Sequence, residues 1–545
     1  MTLRALCLLS IAALSAGCWD DAFESKPLGS PDTAELIDAS LDADADSDSD
    51  SDSASDADTE TEPPWDTDYD AFGGNDAFLA RFEADGSLEW AVRADGGEFG
   101  STGVDVVALP DDTIGVVGIF GETLVLDPGQ QGETVLEAED ERDLFLARFD
   151  AGGGLLRARR DGSGKVVPWR AAATDEGGLL VCGWFEGDAA LGNGDENATE
   201  LSAAGGRDAL LARYDADDRL LWAVRAGGST HDVATSVAPL AGGGSYLAGG
   251  FGDEATFGPG TPNETTIQAA GQADAFLARY DADGAPVWIA RVECSEERCA
   301  ARDVARGADG GAIVAGRFSG TALLDPGGPQ ETSLECPAAS GIFLASWSEA
   351  GSLLWARAIT GQSGDAACFD CDLDLAVRAD GSILLAGVLV GAACFGEGPN
   401  SELEAEDPWS WGGDIFLASY GASGSLQWVV RAGGTAREAA HAVVAHQDGS
   451  AAVTGCFSGW STFGPGETGE TNLSTGGTTG DNDIFAARWS AGGELAWAVS
   501  AGGFEHAERG LGAAALESGS TAVTGFFGYP AVFGAGEENQ TILEP

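Results

Sequence analysis

A chain of 545 residues with 89 acidic against 27 basic side chains, and a net charge of −62, repels nucleic acid and anionic lipid headgroups, which both require a basic surface. The same field favours solubility and admits divalent cations or cationic partners. Lysine occurs only as Lys26 and Lys165, while Arg, Ala and Gly abound, a bias read first as a GC-rich coding sequence and second as adaptation to salt.

The chain opens with MTLR, a positive start, and ALCLLSIAAL, an apolar run too short to span a bilayer as a mature helix. LSAGC follows and ends at Cys18. Small residues before a cysteine at the end of a signal sequence resemble the bacterial lipoprotein box. In that family the cysteine is diacylated and becomes the mature N-terminus. The resemblance implies a signal peptide over 1–17, a lipidated Cys18 and a cell-envelope address, at the outer membrane or surface of a Gram-negative bacterium. Ser15 stands three places before the cysteine where the family prefers Leu, with Leu14 one place further back. Ordinary secretion with a chance cysteine is the alternative. Two or three acyl chains anchor far better than one, and no later stretch is apolar enough to cross a membrane.

Residues 18–70 form an acidic tether. Its DADADSDSDSDSASDADTETE core contributes to 19 acidic residues against one Lys between Trp19 and Asp70. Such a segment cannot bury enough apolar surface to offset its ordering entropy. A flexible chain of this length reaches roughly 40 Å, and further when it repels itself. Calcium collection is the alternative role and the sole cofactor the sequence raises, although alternating Asp-Ser lacks the glycine and distal Glu of an EF-hand loop.

From residue 71 to 545 one phrase dominates. DAFLARF at Asp76 returns as DLFLARF at Asp143, DALLARY at Asp208, DAFLARY at Asp274, GIFLASW at Gly341, DIFLASY at Asp414 and DIFAARW at Asp483, a period of about 68 residues. A fixed period dictates the architecture. In the copy from His231 to Cys294, ATSVAPL predicts strand A, AGGG a turn and SYLAGGF strand B. After an irregular segment AFLARY predicts strand C, DADG a tight turn and PVWIARV strand D. The period-two alternation of Phe276, Ala278 and Tyr280 against Leu277 and Arg279 is that of a strand, and Asp-Gly between two such runs marks a hairpin.

The A–B hairpins fall near 104–120, 169–185, 233–251, 303–318, 372–389, 439–457 and 509–527. The C–D hairpins fall near 78–94, 145–159, 210–225, 276–292, 343–357, 416–431 and 485–499. There are seven of each, yet the chain opens on C–D and closes on A–B. Radially repeated four-stranded antiparallel units describe a β-propeller. The last A–B hairpin must then pair with the first C–D hairpin, closing the ring and removing exposed edges; a linear solenoid would leave two half-units unpaired.

The pattern DxFLARxDxxGxLxWAxRAGG, a DGG-like turn and VxGxF resembles the seven-bladed bacterial β-propeller repeat proteins, often surface or secreted lipoproteins. The resemblance covers 76–545 and implies one all-β propeller of four-stranded blades outside the cytoplasm, with little said about ligand. Two departures stand out. Gly341 replaces the aspartate, and LLRARRDGSG from Leu155 lacks the tryptophan present at Trp90, Trp222, Trp288, Trp355, Trp428 and Trp497.

The repeated aspartates are expected to accept backbone N–H bonds where a loop enters strand C, with calcium ligation the alternative. The strand-D tryptophans are expected to pack between blades, with a sugar-stacking platform the alternative. His231, His441, His446 and His506 share no equivalent position and no ligand spacing, and no nucleophile or phosphate-loop signature occurs. No catalytic, cofactor or metal residue is assigned.

With Cys7 in the signal and Cys18 lipidated, Cys182, Cys294, Cys299, Cys336, Cys368, Cys371, Cys394 and Cys456 remain, and an even number in an exported protein favours disulfides over metal ligation. Cys294 with Cys299, and Cys368 with Cys371, share single D-to-A loops and are the first pairs expected. Cys336 with Cys394, joining neighbouring blades, is a weaker third. The B-to-C segments are long and varied, so the B-to-C/D-to-A face is expected to bind ligand near Trp409 and Trp411; alternatively these insertions only add short outer hairpins. Together this predicts a monomeric, non-catalytic, lipid-anchored module binding a protein or glycan at the cell surface. An extracytoplasmic hydrolase or lyase with a site at the propeller centre, and a structural surface-layer component, are the alternatives.

Overall fold

The computed structural model describes residues 74–129, 132–140, 142–295, 299–361, 373–398, 400–406, 413–475, 482–503 and 508–545. They are all-β, with antiparallel pairing throughout and two short 3-10 turns, Gly97–Phe99 and Pro110–Asp112. Among these residues no helix is long and apolar enough to cross a membrane. Cys18 and the tether lie outside the described residues.

The strands fall into four-stranded antiparallel sets. Their A strands are, in chain order, Ser101–Ala108, Ser163–Ala173, Asp232–Pro239, Ala300–Arg306, Leu373–Val377, Glu438–Ala445 and Arg509–Ala515. In the set begun by Asp232–Pro239, Ser245–Phe257 follows as B, Thr265–Tyr280 as C and Pro286–Cys294 as D, each paired with the one before. The alternation foreseen for strand C serves two buried faces, because Asp76–Phe82 and its counterpart Asp143–Phe149 are buried along their whole length. Such strands pack on both sides and tolerate apolar residues at every position.

The last A–B hairpin has no C–D partner after it in the chain. Its B strand, Thr521–Phe527, pairs along its whole length with Asp76–Phe82, from Phe82↔Thr521 to Asp76↔Phe527. Leu88–Asp95 completes that set as D. Each A strand also lies beside the A strand of the next set, and Arg509–Ala515 lies beside Ser101–Ala108.

The B-to-C insertions form outer hairpins, the second of the two expectations for them. Five of them pair with strand D of the preceding set, at Ala94↔Leu126, Ala226↔Phe257, Val292↔Leu324, Thr360↔Cys394 and Ala432↔Phe463. The physical reason is the free N–H and C=O row of strand D, which otherwise stands as an open sheet edge.

Hydrophobic clusters fill the spaces between consecutive sets. One gathers Tyr246, Trp347, Phe318 and Phe343 from two of them, and another gathers Phe78, Phe527, Phe533 and Trp497 across the junction of the chain's first and last strands.

Candidate functional site

The strand-D tryptophans do pack between sets. The indole N–H of Trp90 donates to Ala151 O at 3.0 Å, Trp222 to Ala282 O at 2.9 Å, Trp288 to Glu349 O at 3.0 Å, Trp355 to Ala422 O at 3.1 Å and Trp428 to Ala491 O at 3.0 Å. Trp497 donates to Ala84 O at 3.0 Å, so the last C–D hairpin of the chain grips the first. Every acceptor sits in the C–D turn of the following set, whose glycine lies against the indole face. These rings are spoken for and offer no stacking platform.

The aspartates that open strand C also serve the framework. Asp76 accepts from Gly96 N at 2.8 Å, Asp143 from Glu139 N at 2.8 Å, Asp208 from Ala204 N at 3.2 Å, Asp274 from Ala270 N at 2.9 Å and Asp414 from Glu406 N at 3.0 Å. Arg93, Arg160, Arg225 and Arg431 of the adjoining D strands pair with four of them. Burial leads the opposing influences, and it pushes Asp76 up to about 6.

Sequence inspection missed a polar cluster among the A strands. At one register position, opposite the fourth residue of strand B, the seven A strands carry Asp105, Arg170, Ser236, Asp303, Asp374, Ala442 and Gly512. Strand A is an inner edge, so its outward N–H groups need acceptors. Asp105 takes Val106 N at 2.8 Å and, from the next set, Ala171 N at 2.9 Å. Asp303 takes Val304 N at 2.8 Å, Leu375 N of the next set at 2.6 Å and the Ser236 hydroxyl. Asp374 takes Val443 N of the next set at 2.6 Å. Arg170 reaches Asp374 Oδ1 at 3.0 Å and His441 O at 3.1 Å.

Three carboxylates face this guanidinium. Burial pushes Asp105 up to about 6 against the pull of Arg170, and it pushes Asp303 well above the usual carboxylate range, with Asp374 adding to the rise. Each of the six carboxylate oxygens already accepts a hydrogen bond from the protein. The cluster fastens neighbouring A strands; no oxygen is left aimed at a ligand. The only signal available in the sequence was a shared offset within strand A, and that offset holds five different residue types. Close by, His441 Nε2 lies 3.6 Å from Cys456 Sγ. Burial pushes this thiol up, but His441, joined by the charges of Arg509 and Arg437, leaves the pKa lowered.

The cysteine expectations divide. Cys294 and Cys299 are bonded, with Cα atoms 6.0 Å apart. Cys336 and Cys394 are not bonded to each other, contrary to the expected third pair. Thr360 pairs with Gly341 on one side and Cys394 on the other, so a whole strand stands between the two thiols. Each thiol instead meets a nearby carbonyl, Cys336 that of Ala338 at 3.4 Å and Cys394 that of Gly396 at 3.1 Å. Cys368, Cys371, Trp409, Trp411 and His506 lie outside the described residues. Among the described residues no three His, Cys, Asp or Glu side chains are grouped to hold a metal ion.

Exposed aromatics among the described residues are Phe99, Trp460 and Tyr529, and Trp460 is 72% exposed. Phe99 lies in a D-to-A connection, Trp460 in a B-to-C connection, and Tyr529 in the segment that follows the last B strand. In an antiparallel meander both kinds of connection emerge at the same end of the sheets. No protein-family model matches the chain, and no curated protein matches it.

Proposed function

We propose that this chain is a single seven-bladed β-propeller over 71–545, anchored to the bacterial envelope through a lipidated Cys18 and held off the membrane by its acidic tether. It acts as a monomeric, non-catalytic module that binds a protein or glycan at the cell surface. The observation that carries the architectural part is the pairing of Thr521–Phe527 with Asp76–Phe82, which joins residues 446 apart at Phe78 and Thr524 through the Thr524 hydroxyl. A disulfide fits an exported protein.

The binding part rests on the end of the sheets that carries the D-to-A and B-to-C connections. Loops on a rigid scaffold hold binding residues, and exposed aromatic rings offer large contact area at small entropic cost. Trp460 joins Trp409 and Trp411 as an anchor there. The polar cluster around Arg170 is the set of residues that a central hydrolase or lyase site would draw on, but its carboxylates are engaged by backbone N–H groups, which favours binding over catalysis.

The test uses the full chain displayed on its own cells. Protease shaving and labelling with a fatty-acid analogue, in wild type and C18S, read exposure and anchoring. Glycan and protein arrays, with wild type and a W409A/W411A/W460A variant, read binding. Loss of array signal in the triple variant with an unchanged melting curve supports the proposal. Equal signal, or turnover of an array substrate, defeats it.

A further inference from the structure

Three seams between consecutive sets bring together two buried carboxyl groups, one opening a C strand and one opening the A strand of the next set. Asp208 and Asp232 flank Gly227, where a Cβ would meet Asp208 Oδ1 at 2.7 Å and Asp232 Oδ2 at 2.9 Å. Asp483 and Glu508 flank Gly502 in the same way, with Oδ1 at 2.6 Å and Oε2 at 2.5 Å. Asp414 abuts Gly433 at 2.6 Å, and its neighbour Glu438 hangs from Gly413 O by its own N–H at 2.9 Å. Asp208, Asp232, Asp414 and Glu438 are all buried.

At the Asp208–Asp232 and Asp414–Glu438 seams the surrounding groups do not neutralise both acids. Asp208 faces Arg225 and Ala204 N, while Asp232 accepts from Gly228 N at 2.7 Å and Gly252 N at 3.1 Å. Asp414 faces Arg431 and Glu406 N, while Glu438 accepts from Ser461 Oγ at 2.5 Å and has Cys456 nearby. Gly503 N donates to Glu508 at 3.2 Å. One guanidinium therefore serves two carboxyls at the Asp208–Asp232 and Asp414–Glu438 seams. In addition, Asp208 Oδ1 and Glu438 Oε2 are buried without a donor. Two neighbouring carboxyl groups in a buried site resist ionising together, and a proton kept on one of them offsets the missing donors.

We propose that at the Asp208–Asp232 and Asp414–Glu438 seams one acid of each pair keeps its proton at neutral pH, which locks consecutive sets together, and that these seams loosen when that proton leaves in alkali. Burial first, then the neighbouring carboxylate, pushes Asp232 and Glu438 up to about 8. A carboxyl whose pKa is raised by folding binds its proton more tightly in the folded state. Its contribution is thus complete below the unfolded value and is lost as the pH rises through the folded one. Two seams of the same design carry no second acid: Ser101 stands beside Asp76, and the disulfide-bonded Cys299 beside Asp274, each hung by its N–H from Asn75 O and Ala273 O. These are internal controls.

The test compares the full chain with D232N/E438Q, whose amides keep the acceptor and imitate the protonated acid. Melting temperature is followed from pH 5 to 9.5 in high salt, which screens the overall charge. The wild type is expected to lose melting temperature as pH rises, and the double variant to flatten that slope and melt higher at pH 9. Equal slopes overturn the proposal. If the variant fails to fold, infrared spectra of the wild type decide: a buried protonated-carboxyl band present at pH 7 and gone by pH 9.5 supports the pairs, and its absence at pH 7 overturns them.

Discussion

Arg157 Nε lies 2.6 Å from Asp218 Oδ2, and Arg148 meets the other oxygen of the same carboxylate at 2.6 Å. Arg157 occupies the strand-D position that is tryptophan in the other six sets. Asp218 occupies the position in the next C–D turn that is otherwise Gly86, Gly153, Gly284, Gly351, Gly424 or Gly493. A Cβ on any of those glycines would come within 2.9 Å of the indole it faces. Asp218 keeps their left-handed backbone, with φ of 62°. Two separate departures from the repeat are thus one coupled exchange, Trp–Gly for Arg–Asp.

That coupling is measurable. D218G alone should cost about 3 kcal/mol, because two guanidinium groups lose a carboxylate that is itself buried. R157W alone should also destabilise, since the indole meets a side chain. R157W/D218G together should recover most of the loss by restoring the common seam. Urea denaturation of all four proteins gives the interaction energy, and additive losses would refute the pairing.

The closing seam depends on Trp497, which is buried and bonded to Ala84 O. W497A should cost about 3 kcal/mol through cavity formation. Deleting residues 76–95 should do far more, because Thr521–Phe527 then loses its paired strand. Calorimetry should show one cooperative transition in wild type and none of comparable size in the deletion.

The Cys294–Cys299 bond replaces a hydrogen bond used elsewhere. At the equivalent places Asp232 accepts from Gly228 N and Glu508 from Gly503 N. The loop it closes is short, with a sequence separation of 5. Removal in C294S/C299S should therefore cost about 2 kcal/mol and no more. A midpoint shift in guanidinium that corresponds to a much larger loss would mean the bridge does more than close its own loop.

His446 gives the opposite pH response to the carboxyl pairs. Its Nε2 lies 3.1 Å from Thr521 Oγ1 across a seam, and burial, aided by Arg488, lowers its pKa to about 4. A histidine kept neutral by folding contributes stability above its unfolded value near 6.5, and loses it as the pH falls toward 4. H446Q should spare on the order of 2 to 3 kcal/mol of that acid loss. Melting curves between pH 7 and 4 that run parallel for both proteins would contradict the assignment.

Much of the site chemistry was hidden from the sequence for a definite reason. The aspartate of DAFLARF declares itself by repetition, and its role follows from where a loop meets a strand. Arg170 and Asp374 do not declare themselves, because 204 residues separate them and neither belongs to a motif. They meet only because A strands of different sets share one inner edge. Cys336 and Cys394 show the converse: nearness in the repeat suggested a bond, and the strand ending at Gly361 keeps them apart.

By itself the sequence determined the unit, its four strands, its seven copies and the offset that leaves C–D at one end and A–B at the other. Those features rest on local alternation and turn residues, which need no distant partner. Tertiary structure alone decided that the outer hairpins cover the neighbouring D strands, that Arg157 answers Asp218, and that acids from successive sets become buried pairs. Each of these depends on how one set is placed against the next, and burial rather than sequence sets the charge those groups can carry.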